Sequence, residues 1–165
     1  MTKSSIRAAR ANTTPSLDDL PGHHIRRLQQ IAVAVFLQET QAHGITPVQF
    51  AALHAIAAQP GLDQRTLAGT IGFDTSTIGG VVDRLESRGL LERSTSPEDR
   101  RVRLLTLTRA GQATLAAAMP GMLRAQERML APLSKGDRAE FMRMLRQLVT
   151  ANNEHSRAPS VVDRV

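Results

Sequence analysis

The sequence contains no cysteine, no tryptophan and no tyrosine, and its aromatic side chains are limited to four phenylalanines and five histidines. The lack of cysteine excludes a disulfide framework, a thiolate zinc site and thiol-based sensing of oxidants. The longest apolar run, residues 31–37, is far shorter than the roughly 20 residues that a membrane-spanning helix needs, and residues 1–16 lack the apolar segment of a signal peptide. We therefore expect a cytoplasmic protein with no membrane partner.

Motifs typical of enzymes and metal sites are missing as well. The sequence has no GxSxG turn, no glycine-rich phosphate loop and no HExxH helix. Its histidines lack the spacing of metal ligands, since the adjacent His23 and His24 would point about 100° apart on a helix. We predict that the protein is not an enzyme, has no catalytic residues and binds neither a metal nor a cofactor.

Positive charge is concentrated in one part of the chain. The 165 residues suit one domain with extensions, and 21 basic against 15 acidic residues give a formal net charge of +6. Residues 84–109 hold seven arginines against four carboxylates, which is half of that net charge. A basic segment of this kind favours a polyanionic partner.

Residues 61–109 organise the rest of the chain. Ile78, Val81, Val82 and Leu85 follow the i, i+3, i+4, i+7 spacing, which predicts a helix over about 75–88 with one buried stripe. The opposite face carries mainly small residues and hydroxyls, with one guanidinium, which suits a helix that lies in a DNA groove. Its residues are Ser76, Thr77, Gly80, Asp83, Arg84 and Ser87.

A second short helix is predicted just upstream, over residues 64–71. Gly72 and Phe73 form a tight turn, and Asp74 is placed to cap the helix that follows. Two helices joined by a short turn that contains glycine form a helix-turn-helix.

A β-hairpin is predicted after the second helix. Gly89 ends that helix, and a polar stretch over residues 94–101 leads into residues 102–108, where apolar and β-branched side chains alternate with polar ones. The hairpin, over about 91–107, makes the unit a winged helix, with its second helix in the major groove and its wing at the backbone or minor groove. The residues expected to contact DNA are Thr75, Ser76, Thr77, Gly79, Gly80, Arg84, Arg100, Arg101 and Arg103.

These motifs resemble those of a known family. The string DRLESRGLLER at residues 83–93, followed by Asp99, Arg101, Leu105, Leu107, Thr108 and Gly111, is similar to the pattern of the MarR family of dimeric transcriptional regulators. The resemblance covers roughly residues 23–150. It implies a mainly α fold with a small β wing and a regulator, most simply a repressor, that binds a pseudo-palindromic operator.

The chain departs from the family pattern at two glycines, and its acidic residues have an expected role in the wing. Many members of the family carry polar or basic residues where this chain has Gly79 and Gly80, so we expect close approach to the DNA backbone there. Acidic groups near a DNA face are expected to orient arginines, and Asp99 paired with Arg101 is the local candidate. In the family the equivalent aspartate braces the wing, which leaves Arg100 at the wing tip as a groove contact.

The remaining segments read as dimerisation helices and tails. Residues 1–16 are predicted to form a disordered arm, residues 17–44 a dimerisation helix, residues 45–109 the winged domain, residues 110–153 further dimerisation helices and residues 154–165 a loose tail. The first helix is apolar around its whole circumference over residues 31–37, which implies a partner that covers its other side, most simply a second copy of the chain. In the C-terminal part, a kink or break is expected at residues 120–121, where proline precedes glycine.

The resemblance also implies an effector site. Members of the family commonly bind small anionic aromatic molecules between the dimerisation layer and the winged domain. Here His23, Arg27 and Gln30 share one face of the first helix, and Phe50 and His54 lie on the second. We expect an aromatic carboxylate, such as a hydroxylated benzoate or a pyridine carboxylate, bound by Arg27 and His54. The sequence equally allows a solvated face on the first helix and a structural histidine on the second.

Three rival functions stay open at this point. A constitutive architectural DNA-binding protein would have the same fold without an effector. A winged helix used for protein interaction would show exposed leucine, tryptophan or tyrosine anchors instead of an arginine-rich wing. An enzyme is the most distant alternative, because no residues support it.

Overall fold

A computed structural model describes residues 14–160, so the predicted disorder of residues 1–13 and the end of the tail, residues 161–165, lie outside the described residues. The elements of the described chain are the helices α1 (Pro21–Glu39), α2 (Pro47–Ala58), α3 (Gln64–Ile71), α4 (Thr75–Ser87), α5 (Arg109–Leu130) and α6 (Lys135–Ala151), the strands β1 (Leu62–Asp63), β2 (Leu91–Thr95) and β3 (Arg103–Leu107), and the 3₁₀ turns Leu17–Asp19, Gln41–His43 and Asn153–His155. The predicted class, mainly α with a small β wing, is confirmed.

Side-chain caps fix where the helices begin, and the cap at Asp74 is the one that the sequence analysis predicts. Thr46, Asp74, Thr108 and Ser134 each accept a hydrogen bond from the backbone N–H three residues ahead, at the starts of α2, α4, α5 and α6. Asp63 does the same for α3, where its carboxylate accepts from two backbone N–H groups. The helix-turn-helix therefore has both of its helices capped by aspartates.

The core of the winged domain forms around α4. Its predicted stripe is fully inside, with Ile78, Val82 and Leu85 at 0% exposure. α2 and α3 cover this stripe with Leu53 and Leu67, which are also fully buried. Because every large side chain of the stripe is inside, the opposite face of α4 is presented to solvent.

The sheet has three antiparallel strands in the order β1–β3–β2. β2 and β3 pair from Leu91 opposite Leu107 to Thr95 opposite Arg103, which confirms the predicted hairpin. β1 has only two residues and pairs through Leu62 with β3. Strand β1 thereby holds the start of α3 beside the wing.

The break expected at residues 120–121 is wrong, because α5 runs without interruption from Arg109 to Leu130 with Pro120 inside it. At Gly121 the helix crosses α1 so closely that a Cβ atom would lie 2.5 Å from the Glu39 carbonyl oxygen. The Glu39 carboxylate accepts from Arg124 at 2.8 Å and from Arg128 at 2.6 Å. These contacts lie one and two turns after the proline and join α5 to the end of α1.

Helix α1 ends at Glu39, within the predicted dimerisation segment 17–44, and a 3₁₀ turn follows it. The buried Thr40 at this end donates its hydroxyl to the Phe36 carbonyl at 2.8 Å. After α6, Asn153 and Ser160 are joined by two hydrogen bonds of 2.8 Å.

Several apolar side chains of α1, α5 and α6 stay exposed in the single chain. Ile25 is 62% exposed, Leu123 is 55% exposed and Leu148 is 55% exposed, and α6 has no buried residue among those described. None of the helices within residues 14–160 combines the length and apolar character of a membrane span.

Candidate nucleic-acid interface

The turn before α4 fixes the polar groups at the tip of that helix. Gly72 adopts a left-handed conformation with φ of 69°, which turns the chain toward Asp74. The Asp74 carboxylate accepts from the Ser76 hydroxyl at 2.5 Å and from the Thr77 hydroxyl and backbone N–H at 2.6 and 2.8 Å. These hydrogen bonds, that of Ser76 first, hold the pKa of Asp74 far below its usual range.

This arrangement determines what the two hydroxyls offer to a ligand. Because Ser76 and Thr77 donate their protons to Asp74, their oxygens face outward as hydrogen-bond acceptors. Acceptors suit the amino groups of cytosine and adenine and do not suit phosphate oxygens, which cannot donate. The predicted base-reading face therefore starts with two oriented acceptors.

The exposed face of α4 carries Thr75, Ser76, Thr77 and Arg84, as the sequence spacing predicts. The two glycines on this helix have different surroundings. A Cβ on Gly80 would meet the Arg84 guanidinium at 3.7 Å, so this arginine lies beside the glycine on the outer face.

Gly79, in contrast, lies against α3. A Cβ there would lie 3.2 Å from the Gln64 side-chain nitrogen, and Gln64 donates to the Thr75 carbonyl at 3.3 Å. The glycine thus makes room for a contact between the starts of α3 and α4.

The wing carries the three predicted arginines on exposed positions. Arg103 lies on β3 and donates to the Thr95 hydroxyl of β2. Arg100 and Arg101 lie in the loop between the strands. The expected guanidinium pair between Asp99 and Arg101 is not formed: the Asp99 carboxylate accepts from the Arg101 backbone N–H at 2.9 Å. Asp99 therefore closes the turn of the wing, and the Arg101 guanidinium stays available for DNA.

The sequence analysis did not predict the ion pairs that join α4 to the wing. Arg93 of β2 donates to Asp83 at 2.5 Å and also to Glu86, both on α4. The expectation that Asp83 orients an arginine is met, with Arg93 as the partner. The motif DRLESRGLLER contains all three residues, but the sequence alone could not show which of its three arginines pairs with Asp83.

Arg65 is a candidate contact that the sequence analysis missed. It lies at the start of α3 and lines an open cleft of about 500 Å³ between α3 and the wing, together with Asp63, Gln64, Thr75, Arg101, Val102 and Arg103. Three guanidinium groups around one cleft make a favourable place for a phosphate. The sequence could have indicated this contact, because Arg65 lies two residues after Asp63, which caps α3.

The five predicted effector residues fall into two groups. Phe50 and His54 stack with their ring centroids 6.2 Å apart, and they line a cleft of about 510 Å³ between α2, α3 and α5. Its other lining residues are Ala51, Ala55, Ala58, Gln59, Thr70, Ile71 and Met122.

The three residues predicted on α1 do not line this cleft. His23 and Gln30 form weak hydrogen bonds with Arg26, at 3.5 and 3.4 Å, instead of gathering around Arg27. Arg27 itself is exposed. The single chain therefore brings together two of the five residues.

Comparison with known proteins decides the family. The sequence profile of the MarR family matches residues 43–102, the part that contains the helix-turn-helix and most of the wing. The HTH-type transcriptional repressor NicR of Pseudomonas putida is 32% identical over 150 residues, which cover 85% of this chain and 95% of NicR. The chain belongs to the MarR family.

Solved structures agree with this assignment of the MarR fold. The PcaV regulator of Streptomyces coelicolor, crystallised with its natural ligand, matches with a TM-score of 0.78 and 38% identity over 84% of this chain and 97% of PcaV. BpsR of Bordetella bronchiseptica, whose DNA binding is regulated by 6-hydroxynicotinic acid, matches with a TM-score of 0.78 and 30% identity over 82% of this chain and 96% of BpsR. These proteins are transcriptional regulators, so this chain is a MarR-type transcriptional regulator and not an enzyme.

Proposed function

We propose that this protein is a homodimeric repressor that binds a pseudo-palindromic DNA operator and is released by a small aromatic carboxylate. The observation that supports it most is the contact of α4 with the wing through Arg93, which places a small-residue helix face and an arginine-rich hairpin side by side. A helix of this kind fits the major groove, while a basic wing fits the adjoining backbone.

Each predicted contact has a role in this proposal. Thr75, Ser76, Thr77 and Arg84 face base edges, and Gly80 permits close approach of the DNA to α4. Arg100, Arg101 and Arg103 bind the backbone or minor groove, and Arg65 adds a phosphate contact. Gly79 contributes indirectly, because its packing against Gln64 sets the position of Thr75.

The exposed apolar faces support a dimer. Ile25 and Ile31 of α1 and Leu148 of α6 are each at least 45% exposed, and full burial of one such side chain contributes roughly 1.5–3 kcal/mol. A second copy of the chain would cover the same faces in return, since a two-fold interface is self-complementary. The two α4 helices would then meet half-sites roughly 10 base pairs apart.

The cleft between α2, α3 and α5 supports a small aromatic effector. Its volume of about 510 Å³ lies within the usual range for small-molecule sites. Phe50 and Met122 provide apolar walls, and the exposed His54 offers a nitrogen donor for a carboxylate. BpsR responds to 6-hydroxynicotinic acid, which is a pyridine carboxylate. His23, Arg27 and Gln30 lie outside this cleft, so Phe50 and His54 carry the effector proposal.

Effector binding in this cleft can change the position of the DNA-binding face. Its walls belong both to the winged domain, through α2 and α3, and to α5, which leads to the proposed dimer interface. A ligand that favours the non-binding spacing of the two α4 helices by about 1–3 kcal/mol would weaken DNA binding 5- to 150-fold.

The DNA-binding part is tested with operators selected by the wild type from a pool of random duplexes. We expect dimeric binding whose affinity falls steeply with salt. Arg100→Ala should weaken binding to all duplexes alike, whereas Arg84→Ala should relax preference at particular bases by about 1–3 kcal/mol. Binding by a monomer, or a flat response to salt, would contradict the proposal.

The effector part is tested by thermal shift and DNA release with hydroxybenzoates and 6-hydroxynicotinate, with cyclohexanecarboxylate as a non-aromatic control. We expect release of the wild type, a weakened response in His54→Ala and an unchanged response in Arg27→Ala. Equal release of the wild type and His54→Ala would exclude this cleft. If none of the acids releases DNA, the constitutive architectural alternative takes the place of the repressor.

A further inference from the structure

The segment after α6 has a defined shape. Asn153 donates its side-chain amide to the Ser160 carbonyl and accepts from the Ser160 backbone N–H, both at 2.8 Å. Within this closed loop, the Ala158 backbone N–H donates to the Ser156 hydroxyl at 3.1 Å. The C-terminal loop, residues 153–160, is therefore held by its own hydrogen bonds, and Arg157 lies on its exposed side.

The C-terminal loop lies next to the helix-turn-helix. Arg157, Ala158 and Pro159 form one wall of a cleft of about 640 Å³. The other wall comes from α3 and the turn that precedes α4, through Arg65, Thr66, Ala68, Gly69, Phe73, Asp74 and Thr75. Phe73 is 38% exposed and gives the cleft an apolar side.

This cleft adjoins the one between α3 and the wing. Arg65 and Thr75 line both clefts, so the two meet at the N-terminal end of α4. The guanidinium groups of Arg157, Arg65, Arg101 and Arg103 consequently follow one another from the C-terminal loop to the wing. We refer to these four residues as the arginine row.

The carboxylates of the two clefts are already engaged. Asp74 accepts from Ser76 and Thr77 as the cap of α4, and Asp63 caps α3. Within residues 14–160, the guanidinium groups of Arg65, Arg101 and Arg157 have no hydrogen bond or ion pair. The arginine row thus has positive charge available for a ligand.

We propose that Arg157 binds a backbone phosphate of the DNA, so that the contact surface extends from the wing across the tip of α4 to the C-terminal loop. This inference rests on the DNA-binding function proposed above. The strand of phosphates that borders the major groove passes the N-terminal end of a recognition helix, where the arginine row lies. Guanidinium groups bind phosphates in a bidentate manner, and such contacts position the protein without reading sequence.

The salt dependence of binding provides the test, with a random-sequence duplex of roughly 30 base pairs as the probe. Each phosphate contact contributes about 0.9 to the slope of log affinity against log salt, so Arg157→Ala in both protomers should reduce the slope by about 1.8. Arg157→Lys should largely keep the wild-type slope, since the charge remains. Arg143→Ala is the matched control: it removes the same charge from a residue that pairs with Glu140 within α6, and its slope should equal that of the wild type.

The outcomes separate this inference from the function on which it rests. If the wild type shows a steep slope and Arg157→Ala has the same slope, the inference is overturned and the DNA-binding proposal stands. If Arg143→Ala lowers the slope as much as Arg157→Ala, the effect comes from net charge and the inference is overturned. If Arg157→Ala lowers the unfolding temperature and Arg157→Lys does not restore the slope, the arginine only braces the loop. Failure of the wild type to bind any duplex overturns both proposals.

Discussion

Three of the helical glycines provide a graded test of the packing around α5. At Gly111 a Cβ atom would lie 1.8 Å from the carbonyl oxygen of Leu90, and at Gly121 it would lie 2.5 Å from that of Glu39. At Gly136 in α6 the nearest atom belongs to a flexible side chain, at 3.9 Å. Alanine at Gly111 and Gly121 therefore measures how closely α5 approaches the rest of the chain, and alanine at Gly136 is the control.

The size of each effect follows from these distances. Carbon and carbonyl oxygen normally stay about 3.3 Å apart, so Gly121→Ala requires α1 and α5 to separate by roughly 0.8 Å. Overpacking of this kind costs about 1–3 kcal/mol, and we take the upper end because the obstacle is backbone. Alanine returns up to about 1 kcal/mol through its higher helix propensity. We expect a net loss of roughly 2 kcal/mol for Gly121→Ala, a larger loss for Gly111→Ala, and no loss for Gly136→Ala.

The free energy of unfolding is measured by urea denaturation followed by circular dichroism. All variants must be compared at one protein concentration, because subunit association adds to the apparent stability. The expected order of stability is Gly136→Ala first, then Gly121→Ala, then Gly111→Ala. If Gly121→Ala is as stable as Gly136→Ala, the close crossing of α1 and α5 does not exist.

Three further substitutions test the DNA face. Arg93→Ala removes both contacts between β2 and α4. Because exposed ion pairs contribute at most about 1 kcal/mol, the free energy of unfolding should change little, whereas DNA binding should weaken roughly tenfold. Unchanged affinity would show that these contacts do not position the wing. Asp74→Ala removes the cap of α4. Because folding lowers the pKa of Asp74, the ionised carboxylate stabilises the fold fully above the unfolded pKa of about 3.9, and this stabilisation is lost as the pH falls through the folded pKa. The difference in unfolding free energy between the wild type and Asp74→Ala should therefore be constant from pH 8 to about 5 and shrink below about 4. A difference that grows in acid would refute the lowered pKa. Gly80→Leu should block DNA binding with unfolding unchanged, as the nearest atoms to a Cβ there are those of Arg84 at 3.7 Å; normal binding would show that Gly80 does not face the DNA.

Sequence reasoning succeeded where the structure depends on neighbours in the chain. The buried stripe of α4 follows from helical periodicity, and Leu85 and Ile78 are both at 0% exposure. The caps at Asp74 and Thr108 were equally predictable, because a cap and the N–H that it binds are three residues apart.

Features that depend on distant contacts could not be predicted in the same way. Strand β1 exists because Leu62 pairs with Leu105, far along the chain, and two residues carry no periodic signal. The close packing of α5 on α1 beside Pro120 involves Glu39, which is about eighty residues away in sequence. The arginine partner of Asp83 is likewise set by the packing of α4 against the wing.

The contacts around α4 also explain why its two ends should behave differently. At its C-terminal end, Arg88 donates to the Gly44 carbonyl at 2.7 Å and to the His43 carbonyl at 3.2 Å, which ties the helix to the turn after α1. α1 is in turn joined to α5 through Glu39. The N-terminal end carries its Asp74 cap and a contact with Gln64 of α3, and it faces the proposed DNA site. Because the hydrogen bonds of Arg88 tie the C-terminal end to the turn after α1, a shift of α1 against α5 is expected to reorient α4 as a lever rather than to translate it.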